Sequence, residues 1–253
     1  MWRLRNFLSV GLLIGMVAAA SADAQTHAVR GRYNFNPGWL VFAGDPANAQ
    51  SPSFDDSAWK PVTLPYAWNE DSAFKVTIHD LPTGIAWYRK HFRIPSNATG
   101  RRVFLEFEGI RQAGDVYLNG KFLGRHEDGV SAFGFDITAE VNPAPEENVL
   151  AVRTDNSWTY TEVATGSTFR WNNVNFYANY GGISKNVWLH VTAPLHQTLP
   201  LFSSLGTTGV YIWASHFDLP RHSATITAES QVRNDDSIRQ IASYTVRIED
   251  MEH

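Results

Sequence analysis

Short runs rich in β-branched and aromatic residues recur along the chain, separated by Gly, Pro, Asn and Asp. In the run 102–107, Val103, Leu105 and Phe107 alternate with other residues such as Arg102 and Glu106. This period of two is typical of a strand with one buried face. Few stretches keep a helical period over ten residues, so the pattern predicts an antiparallel β-sandwich. The predicted strands are Trp39–Phe42, Ala86–Arg93, Arg102–Phe107, Asp115–Leu118, Lys121–Gly124, Phe133–Ile137, Asn148–Thr154 and Asn186–Val191.

A hairpin is the most specific local prediction. The dipeptide Asn119-Gly120 separates two of the apolar-rich runs, and both residues tolerate a positive φ. Such a dipeptide between two runs is the strongest short-range hairpin signal in a sequence. The sequence therefore predicts a tight hairpin over 115–124, followed by a strand in which Phe133, Phe135 and Ile137 share one face.

A second region begins after the segment Pro194–Pro200. Three more strands are predicted there, at Val210–Ala214, Ser223–Arg233 and Ile241–Ile248. An immunoglobulin-like sandwich needs about seven strands in ~100 residues, and three strands with one apolar face have nowhere to bury it. We therefore expect residues 25–196 to form the first sandwich and residues 197–253 to form a truncated immunoglobulin-like domain.

The first 24 residues have the features of a secretory signal peptide. Arg3 and Arg5 give a positive start, an uncharged and mostly apolar run extends to Ala20, and Ala22-Asp23-Ala24 supplies a small-x-small cleavage pattern. The alternative is a membrane anchor, but the run is shorter than the ~20 residues that a span needs. We expect cleavage, a secreted or periplasmic protein, and no membrane association afterwards.

Composition narrows the classes of function. A net charge of −4 without a basic stripe argues against nucleic-acid binding. The chain has no Cys, which excludes disulfides and Cys metal sites, so an exported protein of this kind depends on its core for stability. Nothing in the sequence indicates a cofactor, and the oligomeric state stays open.

Four blocks of sequence carry a family resemblance. They are FDDSAWKPVTLPYAWN (54–69), GIAWYRKHFRIP (84–95), NVLAVRTDN (148–156) and NYGGISKNVWLHV (179–191). In this order they resemble the N-terminal sugar-binding domain of glycoside hydrolase family 2, the family of β-galactosidases, β-glucuronidases and β-mannosidases. The resemblance covers roughly residues 33–195, and the three predicted tail strands resemble the start of the family's immunoglobulin-like second domain.

The resemblance implies a galactose-binding-like jelly-roll β-sandwich followed by an incomplete immunoglobulin-like β-sandwich. It also implies a retaining β-glycosidase, whose two catalytic Glu residues stand about 5 Å apart on a (β/α)₈ barrel. That barrel would follow this chain, so we expect an N-terminal fragment with no catalytic residue of its own. Whether the chain counts as an enzyme stays open, as does the identity of the sugar.

In this family, loops of the first domain border the sugar pocket, and two segments match them by position. The first loop precedes the W-Y-R strand, where β-galactosidases place a sugar-facing Asn; Leu81 stands at that position here, beside Asp80. The second loop precedes the Gly-Gly strand, where β-galactosidases place an Asp. Amides bridge sugar hydroxyls and Trp covers a ring's apolar face, although an ordinary Asn-rich turn is an equal alternative. The candidate sugar-binding residues are Asp80, Arg170, Trp171, Asn172, Asn173 and Asn175.

Two other polar groups invite a catalytic or metal interpretation. Trp68-Asn69-Glu70 imitates the Asn-Glu pair of the family's acid/base, but it ends a sandwich block, and general acid/base catalysis needs a positioned partner. His126, Glu127 and Asp128 are adjacent, and adjacent residues of an extended chain point to alternate sides and do not converge on one ion. We expect Glu70 to be non-catalytic and the three-residue cluster to be a loop without metal.

Structural roles are predicted for the remaining motifs. Four tryptophans should fill the core between the sheets: Trp59, Trp68, Trp87 and Trp188. Arg89 and Lys90 should be exposed and pair across the sheet with Glu106 or Glu108. Asp55 and Asp56 should stabilise a turn, and Gly181-Gly182 should let the chain turn into its last strand.

Three functions compete. The first is the N-terminal part of an exported family-2 hydrolase, and the second is a stand-alone carbohydrate-binding module on the same scaffold, because such sandwiches host many functions. The third is the product of a degraded gene. A finished module should end near residue 195, and an in-frame downstream continuation of several hundred residues would favour the hydrolase.

Overall fold

The structure is a computed structural model that describes residues 30–168 and 178–247. Most of the regular structure there is β-strand, with a four-residue helix α1 (Phe202–Leu205) and short 3₁₀ turns at Glu70–Ser72, Ile78–Asp80 and Ser96–Ala98. The strands are β1 (Gly31–Asn34), β2 (Trp39–Ala43), β3 (Lys60–Val62), β4 (Tyr66–Ala67), β5 (Ile85–Phe92), β6 (Arg102–Phe107), β7 (Ala113–Leu118), β8 (Lys121–His126), β9 (Phe133–Asp136), β10 (Asn148–Asp155), β11 (Gly182–Ile183), β12 (Val187–Thr192), β13 (Leu195–Gln197), β14 (Val210–Asp218), β15 (Ser223–Ser230) and β16 (Val232–Asn234).

Two antiparallel sheets form the sandwich. One has the strand order β1-β12-β6-β9 and the other β3-β2-β5-β10-β7-β8. Their facing sides share one apolar core, to which the first sheet contributes Leu105 and Leu189 and the second contributes Trp39, Tyr88 and Leu150. The predicted all-β sandwich is therefore confirmed, and each of the eight predicted sandwich strands overlaps an observed one.

The predicted hairpin is also confirmed. Strands β7 and β8 pair around Asn119 (φ 52°) and Gly120 (φ 84°). Positive φ at both central residues gives the turn a twist that matches the strands it joins. Asn119 also donates to Asn148 Oδ1 (2.8 Å), which fixes the hairpin to β10. Local sequence and tertiary contacts therefore agree at this turn.

Strand β5 departs from its predicted half-exposed character. Arg89 is fully buried, and its Nε donates to Asp56 Oδ2 at 2.6 Å, while Nη1 donates to Ser51 O at 3.0 Å. Lys90 is buried as well, and burial lowers its pKa to about 8. The prediction that both are exposed and pair with Glu106 or Glu108 is wrong. The segment 45–59 covers Arg89 on the outer face of the six-stranded sheet, whereas Lys90 faces the other side, where its Nζ donates to Pro37 O and lies over Phe35. Buried, Arg89 needs the carboxylate that this segment supplies.

The predicted tryptophan positions need a similar correction. Trp59 and Trp87 are buried, but on the outer face of the six-stranded sheet, beneath the same covering segment. Trp188 lies on the outer face of the other sheet, where its Nε1 donates to Glu108 Oε1 (2.8 Å) and the Arg32 guanidinium lies 3.7 Å from a ring centroid. Trp68 alone of the four packs against the main core. The period-two pattern of the sequence identified Trp59 and Trp87 as buried, but it did not show on which face of the sheet they are buried.

The adjacent residues Asp55 and Asp56 have different roles. Asp55 Oδ1 accepts from Ser57 N at 3.0 Å, as expected of a turn residue. Asp56 instead bonds Arg89 and His91 Nε2 (2.9 Å), so its predicted turn role is wrong. His91 Nδ1 also contacts Glu147 Oε2 at 3.1 Å, which joins the covering segment to the loop before β10.

Beyond the sandwich, the chain folds back before it forms a separate hairpin. Leu199 and Leu201 cover Phe104 on the outer face of the four-stranded sheet, and β13 pairs with β16. Within residues 30–168 and 178–247, strands β14 and β15 pair only with each other, and large apolar side chains such as Trp213 and Phe217 are exposed there. The predicted strand Ile241–Ile248 is wrong over its described part, since residues 241–247 belong to no strand. The boundaries proposed at 24 and 196 stay predictions.

No helix in the described ranges combines the length and the apolar character that a membrane crossing requires.

Candidate functional site

The sequence predicts two loops at the site, and the structure describes one of them. Asp80 ends a 3₁₀ turn, is exposed, and accepts a hydrogen bond from Thr77 Oγ1 at 2.7 Å. Its neighbour Leu81 is buried, so at this end of the turn Asp80 is the side chain that solvent or a ligand can reach. The other candidates lie outside the described residues, so their roles stay predictions: Arg170, Trp171, Asn172, Asn173 and Asn175.

Asn69 joins the first predicted loop to Asn179, which follows the second predicted loop in sequence. Its Nδ2 donates to Pro82 O (2.7 Å) in the first loop and to Asn179 O (2.8 Å) just after the second. Its Oδ1 accepts from Gly181 N at 3.1 Å. The side chain of Asn69 is 2% exposed, so water does not reach it. Its amide therefore supplies the hydrogen bonds that water would give to backbone groups at the surface. One side chain therefore connects Pro82 and Asn179, which are 97 residues apart in sequence.

Two further buried asparagines extend this junction. Asn156 Oδ1 accepts from Gly84 N (3.1 Å) and Trp68 Nε1 (3.2 Å), and its Nδ2 donates to Asn179 O at 2.8 Å. Asn179 Nδ2 returns a bond to Asn156 O at 2.7 Å. We call Asn69, Asn156 and Asn179 the asparagine junction. Asn69 and Asn156 each donate and accept through their amides and Asn179 donates, so together the three bond backbone N–H and C=O groups in one dry region.

The Gly-Gly pair is required by close packing at this junction. Gly182 has φ 102°, and a Cβ there would lie 2.0 Å from Tyr88 Oη. A Cβ on Gly181 would lie 2.3 Å from Asn156 Cγ. Burial strongly raises the pKa of Tyr88, whose hydroxyl donates to Tyr66 O at 2.9 Å. Neither glycine lies in a turn, since Gly182 begins β11 and the bend before β12 is at Lys185, so the predicted turn role is wrong. The two glycines are required by close tertiary packing instead.

A cleft of about 650 Å³ opens beside the asparagine junction. The segment 65–74 forms part of it, and Arg111, residues 129–130 and residues 178–185 complete the lining. The volume lies within the usual range for small-molecule sites. Tyr66 and Tyr180 line it, and Phe74 at its edge is fully exposed with φ 64°. An exposed aromatic side chain in the left-handed region is uncommon and points to function.

The cleft contains charges of both signs. Asp71 forms an ion pair with Lys60, whose Nζ also donates to Tyr66 Oη at 2.6 Å. Hydrogen bonding to Lys60 lowers the pKa of Asp71. Arg111 is partly buried, and this burial lowers its pKa from the ordinary value. A guanidinium and a carboxylate in one concave site can bind polar ligands through charge-assisted hydrogen bonds.

Glu70 lies on a turn of the sandwich, as predicted. Its Oε2 accepts from Ala67 N at 2.8 Å, which fixes the turn at the edge of the cleft. Its carboxylate neighbour Asp71 is held by Lys60. The arrangement provides backbone anchoring, and a retaining glycosidase would instead need an acid and a nucleophile facing one bond.

The His126-Glu127-Asp128 cluster is a loop in which each side chain has its own contact. His126 stacks on Phe133 with ring centroids 4.0 Å apart, and Glu127 accepts from Val163 N (2.7 Å). Asp128 Oδ1 accepts from Ser131 N at 2.8 Å. Among the described residues, no group of three His, Cys, Asp or Glu side chains is arranged to hold a metal ion.

Sequence reasoning missed the asparagine junction. Each member stood in a motif: Asn69 in the imitation of the acid/base pair, Asn156 at the end of one family block, and Asn179 at the start of another. A period of two identifies strands, but it carries no information on which distant loops a side-chain amide joins. The cleft was missed for the same reason.

Comparison with known proteins identifies relatives over most of the chain. A family model described as glycosyl hydrolase 2 galactose-binding domain-like matches residues 74–188. A β-glucuronidase of Formosa agariphila is 36% identical over 223 residues, which cover 83% of this chain and 22% of that protein. A β-galactosidase of Bacteroides ovatus is 32% identical over 79% of this chain and 22% of its own length.

Solved structures agree with these relatives. A β-glucuronidase from glycoside hydrolase family 2 superposes with a TM-score of 0.73 at 36% identity, over 82% of this chain and 22% of that one. A β-glucuronidase of Bacteroides uniformis gives 0.68 at 26% identity, over 82% and 23%. The chain therefore spans between a fifth and a quarter of the length of these relatives.

Proposed function

Because the chain belongs to glycoside hydrolase family 2 through its galactose-binding-like domain, we propose that it is the N-terminal part of an exported hydrolase of β-glycosides. In this proposal, residues 1–24 direct export and are removed, and hydrolysis uses a carboxylate pair on a separate barrel domain rather than Glu70. The partner is a carbohydrate.

One observation supports a role in substrate binding more than any other. Asn69 bonds both Pro82 O and Asn179 O, so the first predicted segment and a residue that follows the second in sequence are fixed at one buried point. A binding loop works best when a rigid scaffold fixes its ends. We infer that the asparagine junction is such a scaffold and that the loops at 79–84 and 170–175 form one wall of the pocket.

The wall is tested in a full-length relative that carries the same loop. Arg170→Ala and Asn175→Ala should each lower kcat/KM by about tenfold or more, which corresponds to about 1.4 kcal/mol of lost transition-state stabilisation. The control is Asn142→Ala, because Asn142 is only partly buried and its Nδ2 bonds Glu147 O far along the chain from either loop. Unchanged kinetics with reduced thermal stability would mean that the loop has only a structural role.

The same proposal predicts that the isolated chain does not hydrolyse aryl β-galactosides, β-glucuronides or β-mannosides. Turnover that is lost in a Glu70→Gln variant would contradict the assignment of catalysis to another domain. Tight binding of a β-glycoside by the isolated chain would instead favour the stand-alone carbohydrate-binding module.

Export is tested separately. Amino-terminal sequencing of the protein recovered from the periplasmic fraction or the medium should begin at Gln25, after the Ala22-Asp23-Ala24 pattern. Recovery of the uncleaved chain in the membrane fraction would contradict this prediction and support the anchor.

A further inference from the structure

The carboxylate of Glu127 connects a distant segment of the chain to the sandwich. It accepts hydrogen bonds from the amides of Val163 (2.7 Å) and Ala164 (3.0 Å) and from the hydroxyl of Tyr160. Burial raises the pKa of Glu127, but these hydrogen bonds outweigh burial and lower it, so the group is ionised at neutral pH. Hydrogen bonds to an ionised acceptor are about twice as strong as bonds between neutral groups.

The segment that donates these bonds is a tight hairpin over residues 160–168, which we call the Glu127 hairpin. Thr161 and Thr168 form a β-bridge, and Gly166 N donates to Glu162 O at 2.8 Å across the turn. Most residues of this hairpin are exposed, so it buries little apolar surface. Polar contacts such as those to Glu127 therefore hold it in place.

The loop that carries Glu127 also contacts the chain beyond the predicted sugar-binding segment 170–175. Asp128 Oδ1 accepts from Val130 N at 2.8 Å, which stiffens the loop. Lys185 Nζ donates to Val130 O, also at 2.8 Å. One loop is therefore bonded to residues that precede the segment 170–175 and to a residue that follows it.

We propose that Glu127 is a positioning residue of the proposed hydrolase, and that its carboxylate fixes the chain immediately before the predicted sugar-binding segment 170–175. The inference rests on the proposed function for its catalytic consequence, whereas the contacts that carry it belong to described residues. Glu127 contacts no substrate in this scheme and acts through the segment that follows the hairpin. A shift of about 1 Å in a group that positions substrate can cost about 10²-fold in rate.

The contacts of Glu127 are tested in the full chain by hydrogen exchange, resolved to single amides by NMR. Glu127→Gln keeps the length of the side chain but replaces one acceptor oxygen with an NH₂ group, which cannot accept. Exchange at Val163 N, Ala164 N or both should become at least about tenfold faster, while the amides of β5 keep their rates. Glu127 is only partly buried, so the variant should fold. Unchanged rates at both amides would overturn the inference.

The catalytic consequence is tested in a full-length relative that carries Glu127 and the same loops. Glu127→Gln should lower kcat/KM by about tenfold, because the sugar-binding segment is no longer fixed at its start. The matched control is Glu162→Gln, the same substitution within the same hairpin. Glu162 Oε2 accepts from Thr165 Oγ1 inside the hairpin (2.7 Å), so this variant should keep normal kinetics.

A double-mutant cycle separates positioning from a general loss of stability. In an Arg170→Ala background, Glu127→Gln should lower kcat/KM by less than about threefold, because the contact that Glu127 positions is already absent. If Glu127 only stabilises the fold, the two losses should multiply and the Tm should fall equally in both backgrounds. Multiplying losses, or normal kinetics in Glu127→Gln alone, would overturn the positioning role.

Failure of the inference and failure of the proposed function give different results. A full-length hydrolase that responds to Arg170→Ala and not to Glu127→Gln would overturn the inference alone. A full-length protein that hydrolyses no glycoside would overturn the proposed function and, with it, the catalytic role of Glu127, even where the exchange rates confirm the contacts of the hairpin.

Discussion

Removing the amide of Asn69 should loosen the junction between the two predicted pocket loops. In an Asn69→Ala variant, Gly181 N loses its acceptor and Pro82 O loses its donor, while Asn179 O keeps the bond from Asn156 Nδ2. A buried group left without a partner costs about 1–3 kcal/mol. Since Pro82 is exposed and its carbonyl can regain water, we expect a total loss of about 2–4 kcal/mol in the free energy of unfolding.

The assay is urea denaturation followed by tryptophan fluorescence, with thermal unfolding in parallel. For a chain of this size the expected loss corresponds to a decrease in Tm of about 4–16 °C. The matched control is Asn142→Ala, which removes one partly exposed amide bond and should cost less than about 1 kcal/mol. An Asn69→Ala variant as stable as this control would refute the claim that the junction holds the loops.

An isosteric variant separates the hydrogen bonds from the packing. Asn69→Asp keeps an acceptor for Gly181 N, but it directs a second oxygen at Pro82 O and Asn179 O. Desolvation and these carbonyls disfavour its charged form, so its pKa should be raised in the folded state. A raised pKa means that stability is lost as the pH rises, so this variant should be less stable at neutral than at acidic pH. A deficit independent of pH would contradict the assigned amide orientation.

Three further predictions test the fold around the site. Gly182→Ala should cost about 3–5 kcal/mol, because a Cβ would meet Tyr88 Oη at 2.0 Å with φ at 102°; Gly166→Ala, also at positive φ but with open space around its Cβ, should cost much less in the same denaturation assay. Burial lowers the pKa of His91, but hydrogen bonds to Asp56 and Glu147 outweigh burial and raise it above 6.5. His91 therefore stabilises fully below that value and less as the pH rises through the folded pKa, so His91→Gln should lose more stability near pH ~5.5 than near pH ~8, and equal losses would refute this. Hydrogen exchange should be faster in the β14–β15 hairpin than in β5 or β10, since neither face of the hairpin is covered in the described structure; equal protection would indicate an additional contact.

The sequence alone was sufficient for the eight sandwich strands that it predicted and for the sharpest turn. A period of two at 102–107 depends only on neighbouring residues, and Asn119-Gly120 determines its turn through its own backbone preferences. The order of the four sequence blocks that resemble glycoside hydrolase family 2 then indicated a jelly-roll sandwich. The predicted strand at 241–247 failed because local alternation does not provide a partner strand, and a strand exists only when paired.

The tertiary structure decided which layer covers each side chain. Arg89 alternates like a solvent-facing residue, yet the segment 45–59 crosses over it and supplies Asp56. The asparagine junction and the cleft likewise arise from segments far apart in sequence, joined by hydrogen bonds of about 3 Å. Local periodicity reports which residues share a face, whereas burial and binding depend on what the rest of the chain places against that face.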